Sequence, residues 1–242
     1  MSLKRLSFLI SISVSLATIC SKSDFSPLNE VANFTLAALP YGYDALDPTI
    51  WPGHLYYHYA REHAYRLNSL NTICTNNTNY QKLKVTDLLI QYGTKDEALG
   101  RFAGGHYGHS LFWWILIESS CSGNGPTGKL FNDIESTWGS YNEFVEEFTE
   151  KANTVFGSGW VWLSVKSNNG NLAIETTEDD NSPLAGGESY PFLGIDMWEH
   201  AYYISYLYDP FDWIEHWWTI IDWELVEYWY EQYASQKTPV PV

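Results

Sequence analysis

The sequence has few positively charged residues. Its 242 residues include 13 lysines and arginines against 29 aspartates and glutamates, which gives a formal net charge of −16. Nucleic acids and anionic membrane surfaces attract proteins through lysine and arginine, so this balance argues against both as partners. An acidic surface favours solubility and repels an anionic substrate at long range.

Long apolar runs are also missing. A run from Leu6 to Ile19 follows Lys4 and Arg5, but it is too short to span a bilayer. A basic start followed by a short apolar run and small residues is typical of a secretory signal peptide, which we place at residues 1–20. A buried N-terminal helix is the alternative. We expect a secreted protein without a membrane span or a lipid anchor.

Cysteine is scarce, with three in the chain. Cys20 is expected to leave with the signal peptide or to lie at its border, so Cys74 and Cys121 remain as an even pair in an oxidising compartment. A disulfide between these two stays open, because the sequence does not show that their Cα atoms come close together. Sequons that begin at Asn33 and Asn76 fit the same secretory route as N-glycosylation sites.

The remaining pattern predicts a helical first half and an α+β second half. Hydrophobic residues make up 45% of the chain, enough to bury a sizeable core. Before a glycine-rich turn at residues 122–128, apolar and aromatic residues recur at helical spacing. After it come strand-like runs at residues 160–165, 172–176 and 192–195. The segment Asn168-Asn169-Gly170 is a hairpin turn signal between the first two.

Histidines cluster in two segments of the helical half, and a further one follows an aspartate. His54, His58 and His63 share one segment, and a second holds two more at residues 106 and 109. Asp196 and His200 are spaced to point to one side of a helical turn. Three neutral imidazoles and one carboxylate suit a first-row metal ion and leave a position open for solvent. Taken singly, each histidine is more often a hydrogen-bonded core residue than a metal ligand.

Four segments resemble the iron/manganese superoxide dismutase family, and the resemblance extends over residues 34–230. They are Leu39-Pro40-Tyr41-Gly42-Tyr43-Asp44-Ala45-Leu46, Gly104-Gly105-His106 with His109-Ser110-Leu111-Phe112-Trp113, Phe156-Gly157-Ser158-Gly159-Trp160-Val161-Trp162-Leu163, and Asp196-Met197-Trp198-Glu199-His200-Ala201-Tyr202-Tyr203. The resemblance implies an α+β fold. A helical hairpin domain at residues 34–121 is followed at residues 127–233 by a metal-binding domain, whose three-stranded antiparallel sheet is flanked by helices.

The resemblance also implies the chemistry of the site. One manganese or iron ion per subunit is expected, and superoxide is the implied substrate, converted to dioxygen and hydrogen peroxide. The choice between the two metals stays open. A homodimer is implied as well, in which Glu199 reaches the partner's last histidine ligand and Tyr203 crosses the interface. The implied metal ligands are His58, His109, Asp196 and His200.

Around these ligands the sequence departs from the family pattern. Glu62 and Arg66 stand where the family has histidine and tyrosine, and Asp180 stands where manganese members have glutamine. Gly105 occupies the position from which iron members supply glutamine, and Gly108 that of a common asparagine. The glutamine sites are therefore not filled by glutamine, and the hydrogen bonds that tune a bound metal are expected to differ.

The candidate catalytic residues beyond the ligands are Glu62, Tyr65, Arg66 and Asp180. Tyr65 follows His58 by seven residues and lies within about 20° of it on an α-helix, so we predict that it replaces the missing phenol. Arg66 is expected to offer local positive charge to superoxide. Asp180 is expected to accept a hydrogen bond near the metal or to ligate it. The plainer interpretations are an ion pair between Glu62 and Arg66 on a helix surface and an Asp180 that faces solvent.

These departures leave three functional hypotheses. The first is a secreted, metal-dependent superoxide dismutase. The second is a metal-binding member of the family without dismutase activity, which carries out other oxygen chemistry or binds a metal or a partner. In the third, the metal only stabilises the fold.

Overall fold

The computed structural model describes residues 22–28 and 30–242. The predicted signal peptide at residues 1–20, with Cys20, lies outside the described residues. Directly after it, the Lys22 ammonium lies 2.6 Å from the Asp222 carboxylate and also donates to the Trp114 carbonyl. Phe25 packs edge-on against Trp114, at 5.2 Å between ring centroids. These contacts attach the start of the described chain to both halves of the fold.

The first half consists of helices. One continuous helical stretch contains α1 (Pro52–Tyr57), a π-helical segment (His58–His63) and α2 (Ala64–Thr75). It is followed by α3 (Val85–Tyr92) and α4 (Glu97–Ile115). Proline at the first position suits the start of a helix, because its missing N–H has no partner there. At the start of α4 the Asp96 side chain accepts from the Leu99 amide, which caps that end.

The second half combines helices with one sheet. Its helices are α5 (Lys129–Trp138), α6 (Tyr141–Asn153), α7 (Glu199–Tyr206), α8 (Pro210–Trp217) and α9 (Trp223–Gln232). The strands β1 (Gly159–Lys166), β2 (Leu172–Glu178) and β3 (Ser189–Asp196) form an antiparallel sheet in the order β2-β1-β3. The predicted fold is confirmed: helices come first and a three-stranded antiparallel sheet with helices follows.

The central strand is buried along nearly its whole length and carries two large rings. Trp160 and Trp162 stack at 5.0 Å between ring centroids. A Cβ at Gly194, opposite Trp162 on β3, would collide with the Trp162 ring. Glycine at this position therefore lets the indole lie flat on the neighbouring strand.

The two cysteines in the described part of the chain do not pair with each other. Cys121 is disulfide-bonded, whereas Cys74 is a free, buried thiol. Burial raises the pKa of the Cys74 thiol to about 11. No described helix is both long enough and apolar enough to cross a membrane.

Candidate metal centre

Four side chains from both halves of the molecule converge at one point. His58 opens the π-helical segment, His109 lies on α4, Asp196 ends β3 and His200 lies in the first turn of α7. One ligand atom from each of the four lies within 4.8 Å of the others. Asp196 Oδ2 is 3.1 Å from His58 Nε2, 3.1 Å from His200 Nε2 and 3.5 Å from His109 Nε2. The structure thus brings together the whole ligand set predicted from the sequence.

The protonation of His109 shows what this cluster fits. His109 Nδ1 lies 2.7 Å from the Gly105 carbonyl, so Nδ1 carries the proton and donates it there. Burial lowers the pKa of His109 well below its usual value, so the ring is neutral and Nε2 keeps a lone pair. That lone pair faces Asp196 Oδ2, and Nε2 has no hydrogen-bond partner among the described residues. Two buried acceptors that face each other fit a cation between them.

The Asp196 carboxylate is fixed by the backbone that follows β3. The Trp198 amide donates to Asp196 Oδ1 at 2.8 Å, and this bond leaves Oδ2 facing the imidazoles. The Trp213 indole donates to the Asp196 carbonyl at 3.0 Å. Burial opposes ionisation of Asp196, but the neighbouring His200 and His58 outweigh it and lower the pKa of the carboxyl. The carboxylate is therefore charged and held in one orientation.

Aromatic rings surround the four side chains. Trp113 packs edge-on against His58 at 4.7 Å, and Trp160 against His109 at 5.1 Å. Trp198 stacks on His200 at 5.5 Å. His58, His109 and Asp196 are fully buried, whereas 15% of the His200 side chain is exposed. Solvent therefore approaches the cluster from the side of His200.

Three charged side chains form a network on that side. Arg66 Nε donates to Asp180 Oδ2 at 2.7 Å, and Arg66 Nη1 donates to Glu62 Oε2 at 3.0 Å and to the Glu62 carbonyl at 3.1 Å. The guanidinium also lies 4.9 Å from the centre of the Trp198 ring. We call Glu62, Arg66 and Asp180 the charged network. It links α2 and the π-helical segment to the loop before β3.

Glycine on α4 makes room for this network. A Cβ at Gly105 would lie 2.8 Å from Arg66 Cδ and 2.9 Å from Asp180 Cγ, closer than carbon atoms pack. The Gly105 carbonyl is also the acceptor for His109 Nδ1. The charged network and a metal-cluster histidine therefore meet at one glycine.

Comparison with known proteins agrees with this geometry. Residues 33–117 match the description "Iron/manganese superoxide dismutases, alpha-hairpin domain", and residues 126–228 match the C-terminal domain of the same family. The chain is 38% identical over 208 residues to "Superoxide dismutase [Mn/Fe] 2" of Staphylococcus aureus strain bovine RF122 / ET3-1, which covers 84% of this chain and 99% of that protein. The proteins of strains Mu50 and N315 are 37% identical over the same lengths.

This chain belongs to the iron/manganese superoxide dismutase family. Its departures from the family pattern can now be placed in space. A Cβ at Gly108 would lie 3.0 Å from the Trp162 ring, so the place of the usual asparagine is taken by an indole. The plainer interpretation, that Asp180 faces solvent, is wrong. Only 4% of the residue is exposed. Burial raises the pKa of Asp180 to about 6, although the charge of Arg66 opposes the shift.

The positive charge of Arg66 is not available to attract superoxide. Only 3% of the residue is exposed, and its guanidinium is paired with the carboxylates of Asp180 and Glu62. The formal charge of the charged network is −1, so its field does not attract an anion. The expectation that Arg66 draws superoxide towards the metal through local positive charge is wrong. The predicted ion pair between Glu62 and Arg66 is confirmed, although Arg66 is buried.

Tyr65 does not face the ligand cluster. It is 60% exposed, and its ring packs edge-on against Phe102. The prediction that it replaces the missing phenol assumed α-helical spacing, and the six-residue π-helical segment from His58 to His63 breaks that spacing. A π-helix bonds residues five apart and so turns less per residue than an α-helix. The phase of every later side chain is shifted, which carries Tyr65 to the surface.

Three histidines for which no role was predicted lie behind the ligand cluster. His63 stacks on His109 at 5.3 Å and accepts from the Trp113 indole through Nδ1 at 3.1 Å. His63 Nε2 therefore carries the proton and donates to His106 Nδ1 at 2.8 Å. His54 lies on α1, and its Nε2 is 2.8 Å from the carbonyl oxygen of His200. The clustering of histidine along the chain was the signal that could have identified them.

The two residues predicted at a dimer interface lie on the surface of α7. Glu199 is exposed and makes no side-chain hydrogen bond within the part of the chain that the structure describes. Tyr203, one turn further along, is 51% exposed. Both are thus free to contact another molecule, and the predicted dimer stays a prediction.

Proposed function

We propose that this protein is a secreted superoxide dismutase that holds one manganese or iron ion per subunit. The ligands are His58, His109, Asp196 and His200. The observation that carries the proposal is the lone pair of His109 Nε2 facing Asp196 Oδ2 in a fully buried site. The named activity of the Staphylococcus aureus relatives, and the two metals in their names, support the same reaction and either ion.

A manganese or iron ion held by His58, His109, Asp196 and His200 would supply a one-electron couple, by which one superoxide is oxidised to dioxygen and the next, with two protons, is reduced to hydrogen peroxide. The protein must hold the ion, keep bulk water away and deliver protons. The rings of Trp113 and Trp160 pack against His58 and His109 and exclude water from these two ligands. Asp180 Oδ1 is a buried acceptor without a partner among the described residues, so it is suited to hold a proton beside the cluster.

The direct test is elemental analysis of the natively expressed protein together with the rate of superoxide decay. We expect about one manganese or iron ion per chain and a rate far above that of the free ion. Rates no better than free manganese, in a protein that holds one ion per chain, would overturn the proposed activity. A protein without either metal would overturn the site as well.

The charged network favours a second candidate, a metal-binding protein without dismutase activity. Arg66 and Asp180 are paired and buried where the family places tyrosine and glutamine, so the neutral hydrogen bonds of that pattern are replaced by charges. If this candidate holds, the double variant Arg66→Tyr with Asp180→Gln gains activity over an inactive parent. A fast parent protein excludes it.

Three finer features belong to the same proposal. Secretion follows removal of a signal peptide that is cut near residues 17–23, and Asn33 and Asn76, both exposed, carry N-glycans. The active protein is a homodimer, and the exposed positions of Glu199 and Tyr203 support this. The mass of the secreted protein before and after glycosidase treatment tests the glycans. Its N-terminal sequence tests the cleavage, and sedimentation of the protein tests the dimer.

A further inference from the structure

The first four residues that the structure describes, 22–25, cap the helix that carries His109. We call them the N-terminal arm. The last carbonyl groups of a helix lack partners within it, and a positive charge is favoured at this end. The Lys22 ammonium donates to the Trp114 carbonyl in the last turn of α4 and lies 2.6 Å from the Asp222 carboxylate. Only 8% of the Lys22 side chain is exposed, so the arm belongs to the fold.

The N-terminal arm also joins the two halves of the molecule. Phe25 packs edge-on against Trp114 of α4 and Trp229 of α9, at 5.2 and 5.1 Å between ring centroids. Cleavage of a signal peptide within the arm would remove contacts to both helices. We therefore expect the arm to stay in the mature protein.

The N-terminal arm lies beside Cys121. Lys22, Phe25 and Cys121 line one surface groove between the segment that follows α4 and the start of α9. Cys121 is disulfide-bonded, and the chain holds three cysteines. Cys74 is a free thiol near the end of α2. Within this chain, the remaining partner for Cys121 is Cys20.

The position of Cys20 in the sequence allows this pairing. Cys20 lies outside the described residues, two positions before Lys22. Two residues span at most about 7 Å, and the Cα atoms of a disulfide lie about 4.4–6.8 Å apart. A cysteine two residues from Lys22 is therefore within reach of Cys121, because Lys22 and Cys121 line the same groove.

We propose that Cys20 and Cys121 form a disulfide bond, which ties the N-terminal arm to the connection between the two halves of the fold. The bond forms by thiol–disulfide exchange with an oxidised disulfide carrier of the secretory pathway. The S–S bond of the carrier breaks and the S–S bond between the two cysteines forms. The two protons and two electrons of the thiols end on the carrier, which leaves as a dithiol.

The bond decides where the signal peptide is cut. Small residues at positions 15 and 17 allow cleavage after Ala17, and small residues at positions 18 and 20 allow it after Cys20. Of these two, only cleavage after Ala17 leaves Cys20 on the mature chain. The inference rests on the proposed secretion, because disulfides persist in oxidising compartments, and it is independent of the metal.

The test is a peptide map of the full chain, expressed in a eukaryotic host and collected from the culture medium. Free thiols are alkylated, glycans are removed, and the unfolded protein is digested with trypsin without reduction. The three cysteines then fall in separate peptides, which end at Lys22, Lys82 and Lys129. Mass spectrometry should find the first peptide linked to the third, an alkylated Cys74, and a mature chain that begins before Cys20.

The other outcomes of this map are equally decisive. A mature chain that begins after Cys20 overturns the proposal. So does a Cys121 that is alkylated, or that is linked to Cys74, to a small thiol or to a second copy. A chain that stays inside the cells with residues 1–20 attached overturns the proposed secretion instead, and the same map of that protein still decides the disulfide.

Variants separate the covalent bond from the packing of the two side chains. Cys20→Ser and Cys121→Ser should each lower the melting temperature by a similar amount, about 5–15 °C for a typical disulfide, and the double variant should lose no more than either. Added reductant should lower the melting temperature of the parent and of the control Cys74→Ala, but not that of Cys121→Ser. Losses that add in the double variant, or a parent that reductant does not affect, overturn the proposal.

Discussion

The ligand cluster and the charged network differ in how their partners are arranged. In the cluster, four side chains from four separate elements face one point, and two of the facing atoms are acceptors. In the network, every short contact joins a donor to an acceptor, as Arg66 does with Asp180 and Glu62. The cluster is thus incomplete without a cation, whereas the ion pairs of the network form as the chain folds. A metal should therefore stabilise the first and leave the second unchanged.

Asp196→Asn is expected to have the largest effect, on the cluster alone. The amide keeps the shape and can still accept from the Trp198 amide, but it removes the negative charge that faces three imidazoles. Metal affinity should fall by more than about 100-fold, beyond what the loss of an outer partner costs. Chelator competition measures this change. Asp179→Asn, which alters an exposed ion pair with Arg101, is the control and should bind as the parent does.

Arg66→Met should break the network. It leaves the buried Asp180 carboxylate without its partner, and the removal of one partner of a buried pair typically costs about 3–5 kcal/mol. The free energy of unfolding of the metal-free protein, from urea titration, measures the loss. Arg101→Met removes a half-exposed pair and should cost about 0–1 kcal/mol. Equal losses in the two variants would contradict the distinction between buried and exposed pairs.

The histidines behind the cluster should make the metal-free protein sensitive to acid. Burial lowers the pKa of His106 to about 4, against a usual value of 6.5. The unfolded chain therefore binds more protons between these values, and stability falls as pH drops from about 6.5 to about 4. For His106 alone the loss is about 3 kcal/mol, which thermal melts across this range can follow. His106→Gln should flatten the dependence, and His216→Gln, at an exposed position on α8, should not.

Gly105→Ala should have the smallest effect, at the point where the two regions meet. Its methyl group presses on Arg66 Cδ and Asp180 Cγ, and overpacking of this kind costs about 1–3 kcal/mol. Urea unfolding measures the cost. Introduced into an Asp180→Ala background, Gly105→Ala should add a smaller cost than it does in the parent, because Asp180 Cγ, one of the two crowded atoms, is gone. If the costs of Gly105→Ala and Asp180→Ala in unfolding free energy simply add up in the double variant, the glycine does not make room for the network.

Sequence reasoning predicted the ligands better than their surroundings. The four ligands lie in segments whose residues are matched to the family one by one, and a ligand that binds a metal directly cannot be moved without loss of the site. The fold followed from the same segments and from the periodicity of the apolar residues. Tyr65 was misplaced because the count assumed about 100° per residue along the first long helix. A π-helical segment leaves no mark in the apolar pattern that this count could detect.

Burial was the other property that the sequence did not reveal. Arg66 and Glu62 are spaced as an ordinary surface pair on a helix, and Asp180 lies in an acidic loop. Only the packing of Gly105 and Trp198 against them showed that Arg66 and Asp180 are enclosed together. The difference matters, because an exposed arginine attracts anions and a buried, paired one does not.

The sequence by itself determined which residues can ligate a metal, where strands and helices run, and that two halves of different structure follow one another. These properties depend on residue type and on spacing within a single element. The tertiary structure alone decided which nitrogen of His109 is free and that Arg66 is neutralised. Each of these depends on distances between elements far apart in the chain, since hydrogen bonds and ion pairs act only over a few ångströms.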